Sequence, residues 1–276
     1  MALSKAEYAK AGLDIFNRLD REAIRREIVN GVQGKFGFDF DQAAEMIWTV
    51  AQKWLARDTE ILELDAIETA FDWRGEKGVL DMCGKFTEEA HSNLAGKRFV
   101  RDWKTTGREL NKDWENKYIL SHQWKFYLYH SGADVFIYSG VTWQDGGGVR
   151  EVILYRPDDL AEQVSRLIAG CEVMGRGLVD ARLTVYPQNM PDGCTKYGGC
   201  AYGLDCRNNT MPRQALEPWG WSPSTIETFL TCPEKMRRNR LNRIAGIANT
   251  SGESAELGAA FHRGVAEMYR QVWGMK

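Results

Sequence analysis

Three short runs of strand-forming residues follow one another at 61–71, 78–86 and 97–102, separated only by charged or glycine-containing turns. Strands linked this closely must pair with one another, and that constrains the fold more than any other feature of the chain. A helical pattern follows from about 113 to 130. Two further strands, near 133–142 and 149–155, flank the turn Gln144-Asp145-Gly146-Gly147-Gly148, and Asp158 starts a helix running to about 174. The order strand, strand, strand, helix, strand, strand, helix predicts an α/β (α+β) fold: a central mixed sheet flanked by helices.

The second and third runs also carry chemistry. Gly78-Val79-Leu80 leads to Asp81, and Arg98-Phe99-Val100 leads to Asp102-Trp103-Lys104, so paired strands set two carboxylates and an ammonium group side by side. Carboxylate oxygens suit hard divalent cations such as Mg²⁺ or Mn²⁺, and a lysine beside them can orient a water or neutralise charge on phosphate. Phosphodiester hydrolysis is the reaction such a set suggests. Nineteen residues after Lys104 the helical pattern presents Gln123 and Tyr127, one turn apart and on one face. Singly, each of these residues is an ordinary strand end, solvated cation or helix surface residue; their order and spacing are what carry weight.

The flanking segments differ in character. Residues 4 to about 56 read as helices, with a capping-box pattern at Ser4 and Glu7, and with Asp41 preceding Ala43, Ala44, Ile47, Val50, Ala51, Trp54 and Leu55 at helical spacing. After Pro187 the chain is rich in Gly, Asn, Pro and Cys through about Trp221, and so irregular a stretch needs an external constraint. Cys194, Cys200 and Cys206 lie within it. They are one thiolate short of a closed zinc site or an all-cysteine cubane cluster, and Cys232 can supply the fourth. Disulfides are the third possibility. Cys83 and Cys171 stand in apolar stretches and read as buried thiols.

Ser222-Pro223 starts a helix with Ile226, Phe229 and Leu230 on one face, and a last helix begins near Gly258 with His262, Ala266 and Tyr269 along one side. A formal net charge of −2 gives no global pull toward nucleic acid, so any such binding needs a local basic surface. The run holding Lys235, Arg237, Arg238, Arg240 and Arg243 against Glu234 is either a solvated helix face or a phosphate contact. Trp219 and Trp221 are either stacking surfaces or core packing. With 276 residues, 43% of them hydrophobic, the chain can bury the core of one large domain or of one domain with a helical annex. No apolar run is long enough to cross a bilayer and the N-terminus lacks a signal-peptide pattern, so a cytoplasmic protein is expected.

Gly78-Val79-Leu80-Asp81, Asp102-Trp103-Lys104-Thr105, and Gln123 with Tyr127 together resemble the RecB-like branch of the PD-(D/E)XK nuclease superfamily. This branch includes phage exonucleases, CRISPR adaptation nucleases and the nuclease domains of recombination helicase-nucleases. The resemblance implies a restriction-endonuclease-like core with Asp81 and Asp102 as metal ligands, Lys104 positioning the attacking water, and Gln123 and Tyr127 completing the DNA-facing side. Glu68 matches a position where the family often carries an acidic residue. The context of Cys232, from Ser222-Pro223 to Cys232-Pro233, is similar to the family segment bearing the first ligand of a [4Fe–4S] cluster, with Cys194, Cys200 and Cys206 as the other three. The resemblance favours iron–sulfur over zinc. Gly258 to His262 resembles the family's Gly-x-x-x-His element, which makes His262 a ligand or orienting residue.

In the family the Cys-Pro and His elements precede the aspartates; here they follow, at 222–270, so the chain resembles a circular permutation. A segment exchanged between two chains would give the same order. The implied organisation is a helical annex at 1–60, a nuclease core at 61–186, and at 187–276 a Cys-rich cluster lobe with the permuted helices. The implied activity is Mg²⁺- or Mn²⁺-dependent cleavage of single-stranded or end-containing DNA in recombination, repair or phage DNA processing, with Arg237, Arg238 and Arg240 at the DNA entry surface and partners in recombination or replication. The alternatives are a non-cleaving DNA-binding or protein-interaction module on the same fold and a zinc-stabilised interaction protein.

Overall fold

A computed structural model describes residues 4–31, 40–73, 76–144, 148–180, 223–233, 236 and 253–275. The chain begins as its sequence dictates: the Ser4 hydroxyl accepts the Glu7 N–H at 3.3 Å and the Glu7 carboxylate accepts the Ser4 N–H at 2.7 Å. This reciprocal cap starts α1 (Lys5–Phe16), which is followed by α2 (Arg21–Gly31) and α3 (Phe40–Val50). A π-helical turn, Ala51–Leu55, joins α3 to α4 (Ala56–Ile61).

Five strands form one sheet in chain order: β1 (Leu62–Trp73), β2 (Glu76–Phe86), β3 (Arg98–Thr106), β4 (Val135–Thr142) and β5 (Gly148–Tyr155). β2 and β3 pair antiparallel, β3 and β4 parallel, β4 and β5 antiparallel. The sheet is mixed and the fold α+β, as the element order predicts. The parallel pair needs a crossover, supplied by α5 (Lys112–Ile119) and α6 (Gln123–Ser131). All eight residues of β4 are buried, because the strand is central and covered on both faces.

Successive β3 side chains point to opposite faces. Trp103 enters the main core, against Trp54 at 5.5 Å, Phe261 at 6.0 Å and Tyr269 at 5.9 Å between ring centroids. Phe261 and Tyr269 belong to α9 (Glu253–Trp273), which packs on α2, α3 and β3. Two glycines allow that approach: a Cβ on Gly31 would meet the Ala260 Cα at 2.8 Å, and one on Gly258 would meet the Thr105 hydroxyl at 3.1 Å.

The described residues of 1–70, 79–157 and 251–276 form one compact unit, and those of 71–78 and 158–250 form a second. The N-terminal helices and α9 thus share a unit with most of the sheet. The second unit holds α7 (Leu160–Asp180) and α8 (Pro223–Thr231), in which Ile226 and Phe229 are buried. Among the described residues no helix is long and apolar enough to cross a membrane.

Some expectations are corrected. The helix expected over 113–130 is two helices broken at 120–122, where the Ser121 hydroxyl accepts the Gln123 N–H at 3.2 Å and diverts the backbone into a new start. The last helix begins at Glu253 rather than near Gly258, and α7 continues to Asp180. Cys171 is buried, whereas Cys83 is only half-buried on β2.

Candidate active site

The β2–β3 register runs from Lys85 opposite Arg98 to Met82 opposite Arg101. One step further brings Asp81 level with Asp102. There the Asp81 carboxylate, rather than a strand carbonyl, accepts the Trp103 N–H, at 2.8 Å. The side chain takes over a ladder position and is thereby fixed beside β3.

Four other side chains converge on these two carboxylates. The Lys104 ammonium lies 2.6 Å from Asp102 Oδ2, and the Gln123 amide donates to Asp102 Oδ1 at 2.8 Å. His262 Nδ1 lies 3.2 Å from Asp81 Oδ2. Tyr127, one turn after Gln123 and hydrogen-bonded to it, packs its ring on Phe136 at 5.9 Å. Thus β2, β3, α6 and α9 each bring a sequence-predicted residue to one place. His262 comes from the same chain, so no exchanged segment is required.

Burial and charge set the protonation of the group. Burial, reinforced by Asp81, raises Asp102 to about 6 despite the opposing Lys104. Burial works the same way on Asp81, but His262, Lys104 and the Trp103 N–H outweigh it and hold that carboxyl below its ordinary value. Burial would lower His262, yet Asp81 raises it above the usual histidine range. Lys104 is likewise raised by Asp102 against the cost of burial. Tyr127 is pushed up to about 12 by burial and then by Asp102, so its hydroxyl stays protonated.

Donor chemistry and one buried oxygen decide whether these residues suit a divalent ion. Two carboxylates and an imidazole form a donor set of the Mg²⁺/Mn²⁺ class. Apart from its ion pair with Lys104, the buried Asp102 Oδ2 receives no hydrogen bond. On both grounds the set fits a hard cation. Among the described residues no three His, Cys, Asp or Glu side chains already stand as a ligating group. Each carboxylate is instead partnered within the protein, Asp102 by the Lys104 ammonium and Asp81 by the His262 imidazole.

Sequence reasoning missed an aromatic flank. The Tyr118 and Tyr138 ring centroids lie 5.9 and 5.8 Å from the Lys104 ammonium and 4.7 Å from each other. Trp114 extends the flank at 4.8 Å from Tyr118, and it fits because β4 carries Gly140 beneath it, where a Cβ would meet the indole at 2.4 Å. The signal available was the Trp114–Tyr118 spacing on α5, and only the strand register shows that Tyr138 faces Asp102.

Other expected residues do not join the site. Glu68 sits at φ 53° in β1 and pairs with Arg270, two turns beyond His262 on α9. Cys232 belongs to the second unit, its thiol buried and its N–H donated to Thr228 O at 2.8 Å just past α8. Cys194, Cys200, Cys206, Arg237, Arg238, Arg240, Trp219 and Trp221 lie outside the described residues.

No family model matches the chain, and no curated protein matches it. Among solved structures, the crystal structure of SSO0001 is similar over 60% of this chain and 82% of its own length, at 15% sequence identity and a TM-score of 0.24, a likeness too slight to argue from.

Proposed function

We propose that the chain is a metal-dependent deoxyribonuclease of the RecB-like PD-(D/E)XK kind, hydrolysing phosphodiester bonds in single-stranded or end-containing DNA. The observation that carries this reading is the convergence of Asp81, Asp102, Lys104, Gln123 and His262 from segments far apart in the chain. Asp81, Asp102 and His262 would hold Mg²⁺ or Mn²⁺, which supplies Lewis acidity toward phosphate oxygen and acidifies a bound water. Lys104 orients the attacking water and balances charge on the phosphate. Gln123 fixes the Asp102 carboxylate through Oδ1, and a cation at Oδ2 would share that oxygen with the Lys104 ammonium or displace it. The Trp103 N–H likewise fixes the Asp81 carboxylate. By the same resemblance Cys194, Cys200, Cys206 and Cys232 would hold a [4Fe–4S] cluster that pins the Cys-rich segment, and Arg237, Arg238 and Arg240 would meet DNA.

One observation favours a second reading, a non-cleaving DNA-binding module. Each carboxylate already has a partner within the protein, Asp102 the Lys104 ammonium and Asp81 the His262 imidazole, so neither stands unpartnered without a metal. The two readings separate in one experiment. Anaerobically purified protein is incubated with end-labelled single- and double-stranded DNA, with and without Mn²⁺, beside Lys104→Ala. Mn²⁺-dependent cleavage lost in the variant supports the nuclease; undiminished cleavage by Lys104→Ala would sink the assignment, and binding without cleavage by the wild type leaves the module.

A further inference from the structure

The exposed apolar side chains nearest the candidate site are not scattered. Leu120 is 79% exposed, more than any other large apolar side chain among the described residues, and its neighbour Ile119 is 38% exposed. Both stand within four residues of Gln123. On β2, Val79 is 47% exposed two residues before Asp81, so strand alternation puts it on the face that carries the carboxylate. A single surface leucine needs no explanation. Three exposed apolar residues beside one acidic site need one.

The α5–α6 corner presents its tip rigidly. The Leu120 N–H donates to Asn116 O at 3.0 Å, the Ser121 N–H to Tyr118 O at 3.2 Å, and the Trp124 indole N–H to Ile119 O at 3.0 Å. A surface already ordered loses little entropy when it binds. Cations flank the tip: the Lys117 ammonium lies 4.8 Å from the Tyr118 ring centroid and the Lys125 ammonium 5.4 Å from that of Trp124. Glu115, the nearest carboxylate on α5, is already matched by Lys112 and Arg150. The corner is also continuous with the site, since Gln123 opens α6 and the Tyr118 ring faces Lys104.

An apolar tip between ammonium groups complements a strand whose phosphates are charged and whose bases are turned out. Paired DNA hides its base faces in the stack and offers no such surface. We propose that the α5–α6 corner is a base-contacting ledge, on which unpaired bases next to the scissile phosphate rest against Ile119 and Leu120 while Lys117 and Lys125 meet the adjoining phosphates. The inference rests on the nuclease reading and assigns its substrate: single-stranded DNA at the point of cleavage.

The test separates bases from phosphates. Binding of the full chain to a labelled oligodeoxythymidine and to an abasic oligomer of the same length is measured by fluorescence anisotropy, for wild type, Leu120→Ser and Lys117→Gln. The wild type is expected to prefer the base-bearing strand about tenfold, the preference that burying roughly 55 Å² of apolar surface against the bases would give. Leu120→Ser is expected to bring that preference within about twofold while abasic binding holds, and Lys117→Gln to weaken both oligomers alike. At so exposed a position Leu120→Ser should move Tm by less than about 2 °C, which rules out misfolding as the cause. A Leu120→Ser variant that keeps the preference, or a wild type without one, overturns the ledge. Mn²⁺-dependent cleavage of the same oligodeoxythymidine judges the nuclease reading separately: cutting with an unchanged preference overturns the ledge alone, and absence of cutting overturns the nuclease reading.

Discussion

Lys104 is the residue on which most of the site's contacts meet. Its ammonium touches Asp102 and lies to one side of the paired rings of Tyr118 and Tyr138, 5.9 and 5.8 Å from their centroids. A ring face attracts a cation by roughly 0.5–2 kcal/mol, enough to favour one lysine rotamer over its competitors. Tyr118 is therefore a positioning residue, and its ring rather than its hydroxyl matters. Tyr118→Phe should keep Mn²⁺-dependent cleavage within about twofold, while Tyr118→Leu should lower kcat by roughly tenfold with KM little changed; equal losses in both variants would refute the role. At this scale the sequence was informative about identity and silent about partners. Asp81, Asp102, Lys104 and Gln123 could be singled out only together, by their order and spacing and the family resemblance these carry. That the Asp81 carboxylate accepts the Trp103 backbone N–H could not, because backbone donors carry no sequence mark.

Among the elements, α9 decides whether the site closes, since it alone carries His262. Its seat depends on Gly31, where any side chain would strike the backbone at Ala259 and Ala260. Gly31→Ala should therefore push α9 off α2, costing roughly 1–3 kcal/mol in urea unfolding and reducing cleavage beyond what the stability loss explains. An unchanged midpoint and unchanged activity would show that α9 is held elsewhere. The α5–α6 break has the same importance on the other side of the site. Helical periodicity runs through 113–130 without interruption, so sequence reading gives one helix. The break comes from a single Ser121 hydroxyl competing for the Gln123 N–H, a local bond that periodicity does not register.

For the whole molecule, a buried charge network around Asp58, which takes in Arg101 next to Asp102 on β3, contributes stability that weakens in acid. Asp58 is fully buried and receives Arg101, Arg57 and the Tyr269 hydroxyl, the last at 2.6 Å, while Arg57 and Arg101 both also reach Glu151. Burial would raise the Asp58 carboxyl, but Arg101 and Arg57 outweigh it and bring it to about 2 from an ordinary 3.8. Its folded value lies below its unfolded one, so it contributes stability above about pH 4 that is lost as pH falls toward 2, roughly 2 kcal/mol in all. In urea unfolding the stability difference between the wild type and Asp58→Asn should shrink by about 1 kcal/mol from pH 6 to pH 3, and further toward pH 2. At pH 6 Asp58→Asn should cost about 3–5 kcal/mol, because Arg101 is left buried without its carboxylate.

Ligand linkage offers a second whole-molecule readout. Mn²⁺ that binds only the folded chain stabilises it by about 2.7 kcal/mol at a hundredfold excess over Kd. The wild-type Tm should rise with Mn²⁺ and that of Asp102→Asn should not; a rise in both would place the metal elsewhere. For the second unit, anaerobically purified wild type should be brown and Cys206→Ser bleached. A colourless wild type carrying zinc would exclude the iron–sulfur cluster.

The sequence by itself determined the succession of strands and helices and the mixed sheet, because side-chain periods of two and 3.6 are local properties of the chain. Only the tertiary structure decided that His262 meets Asp81, that Tyr118 and Tyr138 flank Lys104, and that Glu68 turns away to Arg270. Those contacts join residues far apart in the chain. They depend on close approaches such as Gly31 against Ala260, and on which face of β3 the core claims, neither of which any local pattern encodes.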